Sequence, residues 1–482
     1  MQLSIVFKTI GLLLMIFSLT QLPPILVDYI YAQNEYMSFV SAFSLTFVSG
    51  FILWLPFRNT TKDFRIREGV LVVVSFWFVL SLFATTPFLL SESLRMSFSD
   101  AFFESMSGLT TTGATVLSGL DDLPMAILYY RQQLQWLGGM GIIVLAVAIL
   151  PMLGVGGMEL YHAESSGISK DRLTPKVTQT AKALWKIYIG FTIACAIAYY
   201  LAGMDAFDAI GHSFSTVAIG GFSTHDLSIG YFDSSAIELV AVIFMLLAGV
   251  NFSLHFFAWQ KKNVMTYFKD SEFKTYLLIL SATIVFISVD LFESGYYQTW
   301  FESFRYGIFQ AVSIATTTGF ASVNYSLWPA LLPVLLIFAS FLGASAGSTG
   351  GGIKVVRVLL MFKLAMKGIK TFIHPSAYIS IKLNQKSVSE NTLMSVWGFF
   401  SLYVMAFVVI MIALMFTGLD QVSSFSATAA SMNNLGPGLG EVAQNYASIS
   451  DSAKWILSFS MLLGRLEILT LMVLLHKSFW RF

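Results

Sequence analysis

The chain has 482 residues, 56% of them hydrophobic and only 11% charged, with a net charge of +1. A soluble domain of this length carries about 25% charged residues, so that class is excluded, and so is a strongly basic nucleic-acid-binding protein. The single cysteine, Cys195, sits in an apolar stretch, which excludes an intrachain disulfide framework and a cysteine-based metal site.

The first predicted element is an N-terminal helix pair, residues 1–68. Lys8 followed by the apolar run Thr9–Leu19 imitates a signal peptide. No small-residue cleavage site follows, however, and the segment runs into Gln21-Leu-Pro-Pro24 and a second apolar run, Met37–Phe57. Four longer units come next, predicted over 69–160, 161–265, 266–370 and 371–482. Their apolar runs include Val70–Leu90, Ile187–Leu201, Leu239–Leu247, Leu277–Val289 and Leu402–Phe416. A spanning helix needs roughly 20 mostly apolar residues, so two per unit plus the N-terminal pair gives about ten.

Lys and Arg concentrate in alternate loops. Arg58, Lys62, Arg65 and Arg67 form the first basic group and Lys170–Lys186 the second. Lys261–Lys274 is the third and Arg357–Lys386 the fourth, while the C-terminal Lys477 and Arg481 match them. The intervening loops are acidic or neutral, as at Asp121-Asp122, Asp226–Glu238, Asp290–Glu293 and Glu441–Asp451. The positive-inside rule therefore places both termini in the cytoplasm.

Each long unit repeats one pattern: an apolar helix, a half-length segment, a polar glycine-containing stretch and a second apolar helix. The polar stretches are Ser107-Gly-Leu-Thr-Thr-Thr-Gly113, Ser215-Thr-Val-Ala-Ile-Gly-Gly221, Ser313-Ile-Ala-Thr-Thr-Thr-Gly319 and Ala430-Ser-Met-Asn-Asn-Leu-Gly436. In three of them a serine precedes the glycine by six residues; the fourth has Ala430 there. The half-length segments, 98–109, 205–217, 301–315 and 420–432, are each about 12 residues, too short to span, and fit re-entrant helices. Asp100, Asp205, Asp208 and Asp420 lie near their N-terminal ends, where the helix dipole favours negative charge. The C-terminal ends then direct partial negative charge at a central cation.

Non-helical backbone is tolerated at membrane depth only where protein buries it or where it lines a watery cavity. Four such loops around one axis supply rings of carbonyl oxygens that replace the hydration shell of a monovalent cation. Glycine permits the positive φ that turns neighbouring carbonyls to one side. Hydroxyls of Thr110–Thr112 and Thr316–Thr318 add further oxygens. No ring of Asp or Glu and no His cluster accompanies the loops, which argues against a divalent or transition metal.

These loops and the extra N-terminal pair resemble the Trk/Ktr/HKT superfamily of potassium transporters, and within it the bacterial TrkH type, over essentially the whole chain. The most specific segments are Thr110–Thr115, Ala315–Phe320, Gly347–Lys354 and Asn434–Gly438. The resemblance implies an all-α integral membrane fold, with four pseudo-repeats of helix, pore loop and helix around a central pore. It implies potassium coordination by the residues just before each filter glycine (Gly113, Gly221, Gly319, Gly436): Thr111 and Thr112, Ile219 and Gly220, Thr317 and Thr318, Asn434 and Leu435. The second and fourth strands depart from the Thr-Thr-Gly pattern, which leaves backbone carbonyls rather than hydroxyls there. One glycine per strand implies weaker discrimination against sodium than in potassium channels.

The run Gly343-Ala-Ser-Ala-Gly-Ser-Thr-Gly-Gly-Gly352-Ile-Lys354 cannot hold a continuous helix, since each interior glycine costs about 1 kcal/mol relative to alanine. In the family this segment is an intramembrane gate, which carries over to Gly343, Gly347, Gly350, Gly351, Gly352 and Lys354. Arg465, in the last apolar helix with Glu467, aligns with Gly139, Gly249 and Ala344 of the other repeats. It is expected to face the pore beneath the filter as a fixed positive charge. His212 reads as a packed, hydrogen-bonded residue and His225 as a solvated one.

The expected function is potassium uptake across the bacterial cytoplasmic (inner) membrane, either channel-like or as symport with protons. A sodium-coupled or sodium-permeable transporter of the same superfamily is the alternative. No cofactor is expected; K⁺ is the transported ion. The resemblance further implies a homodimer seated on a cytosolic, nucleotide-binding TrkA-type regulatory subunit. An enzyme is disfavoured, because the clear intramembrane charges, Arg465 and Glu467, include no nucleophile or metal set. Gly436-Pro-Gly438-Leu-Gly440 and Gly154–Gly157 follow no strand, so a dinucleotide site is not expected, and Ile353 breaks any P-loop pattern at Lys354.

Overall fold

The computed structural model of the chain describes residues 2–60, 66–141, 177–377 and 379–480. These residues are mostly helical; the strand pairing among them is a two-residue antiparallel ribbon, Lys382–Leu383 against Lys386–Ser387.

The N-terminal helix Leu3–Ser18 continues through a 3₁₀ turn into Leu22–Tyr31, whose first turn carries the proline pair. It packs on the returning helix Tyr36–Trp54. The crossing is close because both faces lack side chains. A Cβ on Gly11 would lie 2.6 Å from the Gly50 carbonyl oxygen, and one on Gly50 would lie 2.8 Å from that of Gly11. This pair rests against the outer helix of the first repeat, Ile66–Ala84.

Each of the four repeats then supplies an outer helix, a short pore helix and an inner helix. The outer helices are Ile66–Ala84, Val177–Leu201, Ser271–Glu293 and Glu390–Phe416. The pore helices are Phe98–Leu109, Ala206–Ala218, Trp300–Ala315 and Gln421–Met432, within a residue of the predicted half-length segments. Each begins at a polar cap whose side chain accepts a backbone N–H from the first turn: Ser97, Asp205, Thr299 and Asp420.

The inner helices differ from the simple expectation of long second helices. Six helices among the described residues are long and apolar enough to span a membrane, and none of them is an inner helix. In the second repeat Ser235–Ala248 and Phe252–Lys261 meet at 92°; in the fourth, Asp451–Arg465 and Ile468–Leu475 meet at 112°. In the third, Leu331–Leu342 is separated from Val355–Ile373 by the glycine-rich run. The first inner helix, Met125–Trp136, passes into a π-helical turn at Leu137–Gly141, and its continuation lies outside the described residues. Counting each of the two bent pairs as one span gives eight among the described residues, against the expected ten. The breaks of the second, third and fourth repeats touch one another: Ser345 N donates to Gly249 O (2.9 Å) and Arg465 Nη1 to Thr349 O (3.2 Å). Gly249, Gly343 and the positive φ of Glu467 (56°) sit at these turns.

Candidate functional site: four loops closed around one axis

All four glycine loops leave their pore helices by the same hydrogen bonds. The residue before each glycine donates its N–H to the carbonyl five residues earlier. These bonds are Thr112 to Ser107 (2.9 Å), Gly220 to Ser215 (2.8 Å), Thr318 to Ser313 (2.8 Å) and Leu435 to Ala430 (2.7 Å). The serine noted in three loops makes this bond through its backbone, as Ala430 does in the fourth, and Ser313 also donates its hydroxyl to the Phe320 carbonyl at 2.6 Å.

Two residues before each glycine, φ is positive: Thr111 (55°), Ile219 (55°), Thr317 (69°) and Asn434 (52°). The glycines are positive as well, at 82°, 81°, 84° and 95° for Gly113, Gly221, Gly319 and Gly436. The residue between has an ordinary φ in every strand. Alternating signs of φ turn successive carbonyls toward one side of an extended strand instead of opposite sides. Three non-glycine residues with positive φ in Thr and Ile types are unfavourable by themselves and persist only where packing over-determines them.

The glycines also show how the strands are arranged. A Cβ on Gly113 would lie 2.2 Å from the carbonyl oxygen of Gly220, and one on Gly221 would lie 2.1 Å from that of Thr318. One on Gly319 would lie 2.1 Å from that of Leu435, and one on Gly436 would lie 2.7 Å from that of Thr112. Each strand therefore abuts the next in the order one, two, three, four and back to one. The closed ring leaves no room for a side chain at any of the four positions. On the face away from the gate run a cavity of about 400 Å³ opens, with Gly113, Gly221, Gly319 and Gly436 all in its wall.

Threonine hydroxyls serve two purposes here. Those of Thr112 and Thr318 bond back to Thr110 and Thr316 at 2.8 Å and so brace their own strands. Those of Thr111 and Thr317 meet the elements beneath: Arg465 Nη1 donates to Thr111 Oγ1 (3.2 Å), and Gly351 N donates to Thr317 Oγ1 (2.8 Å).

The run 343–354 lies across this lower face. Gly343, Gly347 and Gly352 have φ of 64°, 72° and 76°. Thr349 Oγ1 donates to the carbonyl of Val217 (3.0 Å), Gly352 N to that of Asn433 (3.1 Å), and Ser345 N to that of Gly249 (2.9 Å). Glu272 Oε1 accepts from Ala346 N at 2.7 Å. Lys354 Nζ donates to the Gly350 carbonyl within the run. Arg465 completes the layer: besides Thr111, its guanidinium donates to the carbonyls of Thr349 (3.2 Å), Gly139 (2.5 Å) and Gly138. It therefore touches the first and third repeats from the fourth. The Glu467 carboxylate accepts from Arg357 Nη2 at 2.5 Å.

Sequence reasoning missed a second intramembrane charge pair. Glu104 on the first pore helix and Arg131 on the first inner helix are both fully buried, 2.7 Å apart. Glu104 also accepts from Thr115 Oγ1 and Val116 N (3.0 Å each), while Arg131 donates to Ser223 O (3.0 Å) and lies 4.3 Å over the Phe222 ring. The pair ties the outgoing strands of the first two loops together. Arg131 and three glutamines within Met125–Trp136 were the available signal, since charge inside an apolar helix marks an interior-facing position. His212 is buried and bonded through both ring nitrogens, to Asp208 O and Ser223 Oγ at 2.9 Å each, as expected. His225 is not simply solvated. Its ring bonds Asp121 and, at 3.0 Å, Asp208, and it stacks on Tyr231 with centroids 3.5 Å apart.

A family model described as "TrkH: Cation transport protein" matches residues 35–481. The "Trk system potassium uptake protein TrkH" of Halomonas elongata is 52% identical over 482 residues, covering 100% of both chains. The protein of the same name from Escherichia coli (strain K12) is 50% identical over 482 residues, again covering 100% of both. The crystal structure of the potassium transporter TrkH from Vibrio parahaemolyticus matches with a TM-score of 0.92 at 49% identity, covering 100% of each chain.

Proposed function

Because this chain belongs to the TrkH family of cation transport proteins, we propose that it takes up potassium across the cytoplasmic membrane through the ring of four glycine loops. The observation that carries this reading is the cyclic contact of each filter glycine with the carbonyl before the next one. Backbone oxygens brought together by four strands at membrane depth suit a dehydrated monovalent cation. In this reading Thr111, Thr112, Ile219, Gly220, Thr317, Thr318, Asn434 and Leu435 supply the carbonyls. The four pore repeats occupy 69–160, 161–265, 266–370 and 371–482.

The run from Gly343 to Lys354 and Arg465 form the barrier beneath the filter. A guanidinium held against the carbonyls of Gly138, Gly139 and Thr349 places fixed positive charge on the ion path. Opening requires that these bonds be exchanged, which assigns the gate to relative movement of the third and fourth repeats against the first. The relatives are named as proteins of a Trk system, and a cytosolic nucleotide-binding subunit of the TrkA type is the proposed driver, with the chain working as a homodimer.

The test is ion flux in proteoliposomes with and without a proton gradient. Passive downhill K⁺ flux without a gradient supports a channel-like pathway; strict dependence on the gradient supports symport. Arg465→Ala is expected to raise K⁺ flux on the order of tenfold, equivalent to about 1.4 kcal/mol of barrier. Unchanged or reduced flux sinks the barrier role.

A further inference from the structure

The four filter strands are braced by unlike means. Strands one and three use hydroxyl pairs, Thr110 with Thr112 and Thr316 with Thr318. In strand four, Asn434 Nδ2 donates to Thr112 Oγ1 (2.9 Å) and to the carbonyl of Met461 (3.0 Å). Strand two has Ile219, Gly220 and Gly221 in the corresponding places and no polar side chain among them. Two consecutive glycines give it the greatest backbone freedom of the four.

Its brace comes from another repeat. Gln135, fully buried on the inner helix of the first repeat, donates from Nε2 to the Gly220 carbonyl at 2.6 Å and accepts at Oε1 from Phe222 N at 3.0 Å. A planar carboxamide offers one donor face and one acceptor face, and both are used on the same strand. The missing side chain at Gly220 is the other half of this fit. A Cβ there would lie 2.4 Å from the Gln135 carboxamide carbon and 2.5 Å from Oε1. The carbonyl that Gln135 holds is also the one against which Gly113 of the neighbouring strand is packed.

We infer that Gln135 is a positioning residue for ion selectivity. From the first repeat, its carboxamide does for strand two what the threonine hydroxyl does within strands one and three, and it fixes the Gly220 carbonyl at the spacing that favours K⁺ over Na⁺. This rests on the filter reading above. Carbonyls free to close in would serve the smaller Na⁺ equally well, so losing the brace lowers discrimination rather than flux.

The experiment measures the K⁺/Na⁺ flux ratio in proteoliposomes for Gln135→Met, Gly220→Ala and, as a reference for the ring itself, Gly113→Ala. A ratio is independent of how much protein reaches the membrane, so poor folding alone does not imitate the effect. Gln135→Met keeps the volume and removes the donor and acceptor; the ratio is expected to fall by about fivefold, the worth of one net hydrogen bond. Gly220→Ala displaces the carboxamide from the other side and is expected to lower the ratio likewise. It carries the test if Gln135→Met does not insert. An altered ratio in Gly113→Ala with an unchanged one in both other variants overturns the role of Gln135. An unchanged ratio in all three overturns the filter reading, and this inference with it.

Discussion

Glu104 and Arg131 show what one buried pair does for a pore wall. Both are completely enclosed, and each finds further partners on the outgoing strands. Removing one partner leaves an uncompensated buried charge, which costs about 3–5 kcal/mol. Arg131→Met is therefore expected to lower thermal stability in detergent markedly, and Glu104→Gln combined with Arg131→Met to recover part of the loss; equal melting temperatures for the two variants would contradict this. His225 makes a milder, pH-dependent contribution. Burial pulls its imidazole pKa down, but hydrogen bonds to Asp208 and Asp121 outweigh this and raise it above the ordinary 6.5. The folded state thus favours the charged ring. Its stabilisation is complete below about pH 6.5 and fades as pH rises through the raised value. Melting temperature followed from about pH 6 to 9 should decline over that window in the parent protein and flatten in His225→Asn.

At the level of elements, the pore helices and filter strands were legible because they are local. Half-length segments, polar caps and a glycine at constant spacing are properties of contiguous residues, and Phe98–Leu109 or Gln421–Met432 follow from them. The breaks in the second and fourth inner helices were not legible. Gly249–Asn251 and Leu466–Glu467 carry no breaker comparable to the run 343–354, yet the helices there bend by 92° and 112°. Likewise the contacts of Gln135 and Arg131 with strand two reach some ninety residues away in sequence. Most ties of the gate run use its backbone, and Thr349 adds to them through its side chain. Thr349 Oγ1 reaches the carbonyls of Val217 and Ala248, at 3.0 and 3.4 Å. Thr349→Val keeps the shape and removes both bonds. It is expected to raise K⁺ flux several-fold with an unchanged K⁺/Na⁺ ratio, measured in the same proteoliposomes; a changed ratio would assign Thr349 to the filter instead.

For the whole molecule, the mostly helical fold with its several apolar spans and the fourfold order of loops were legible from charge and repetition. Orientation is the remaining consequence of that reading. Cysteines placed at Lys262 and Lys382, in the basic loops, are expected to react with a membrane-impermeant maleimide only from the cytoplasmic side. Cysteines at Asp226 and Glu441 are expected to react only from the opposite side. Cys195 is buried and gives a low background. The reverse labelling pattern would invert the assignment.

The ring of glycines and carbonyls has a consequence for how such a protein changes over generations. All four walls are written in one polypeptide, so a single codon alters one wall and leaves three as they were. A pore assembled from identical subunits has no such option, because every substitution arrives four times. Here Thr-Thr-Gly, Ile-Gly-Gly and Asn-Leu-Gly coexist around one axis, and ion preference becomes adjustable by quarters. A side chain on one wall, such as Asn434, and a helper on another, such as Gln135, are free to diverge together while the ring stays closed.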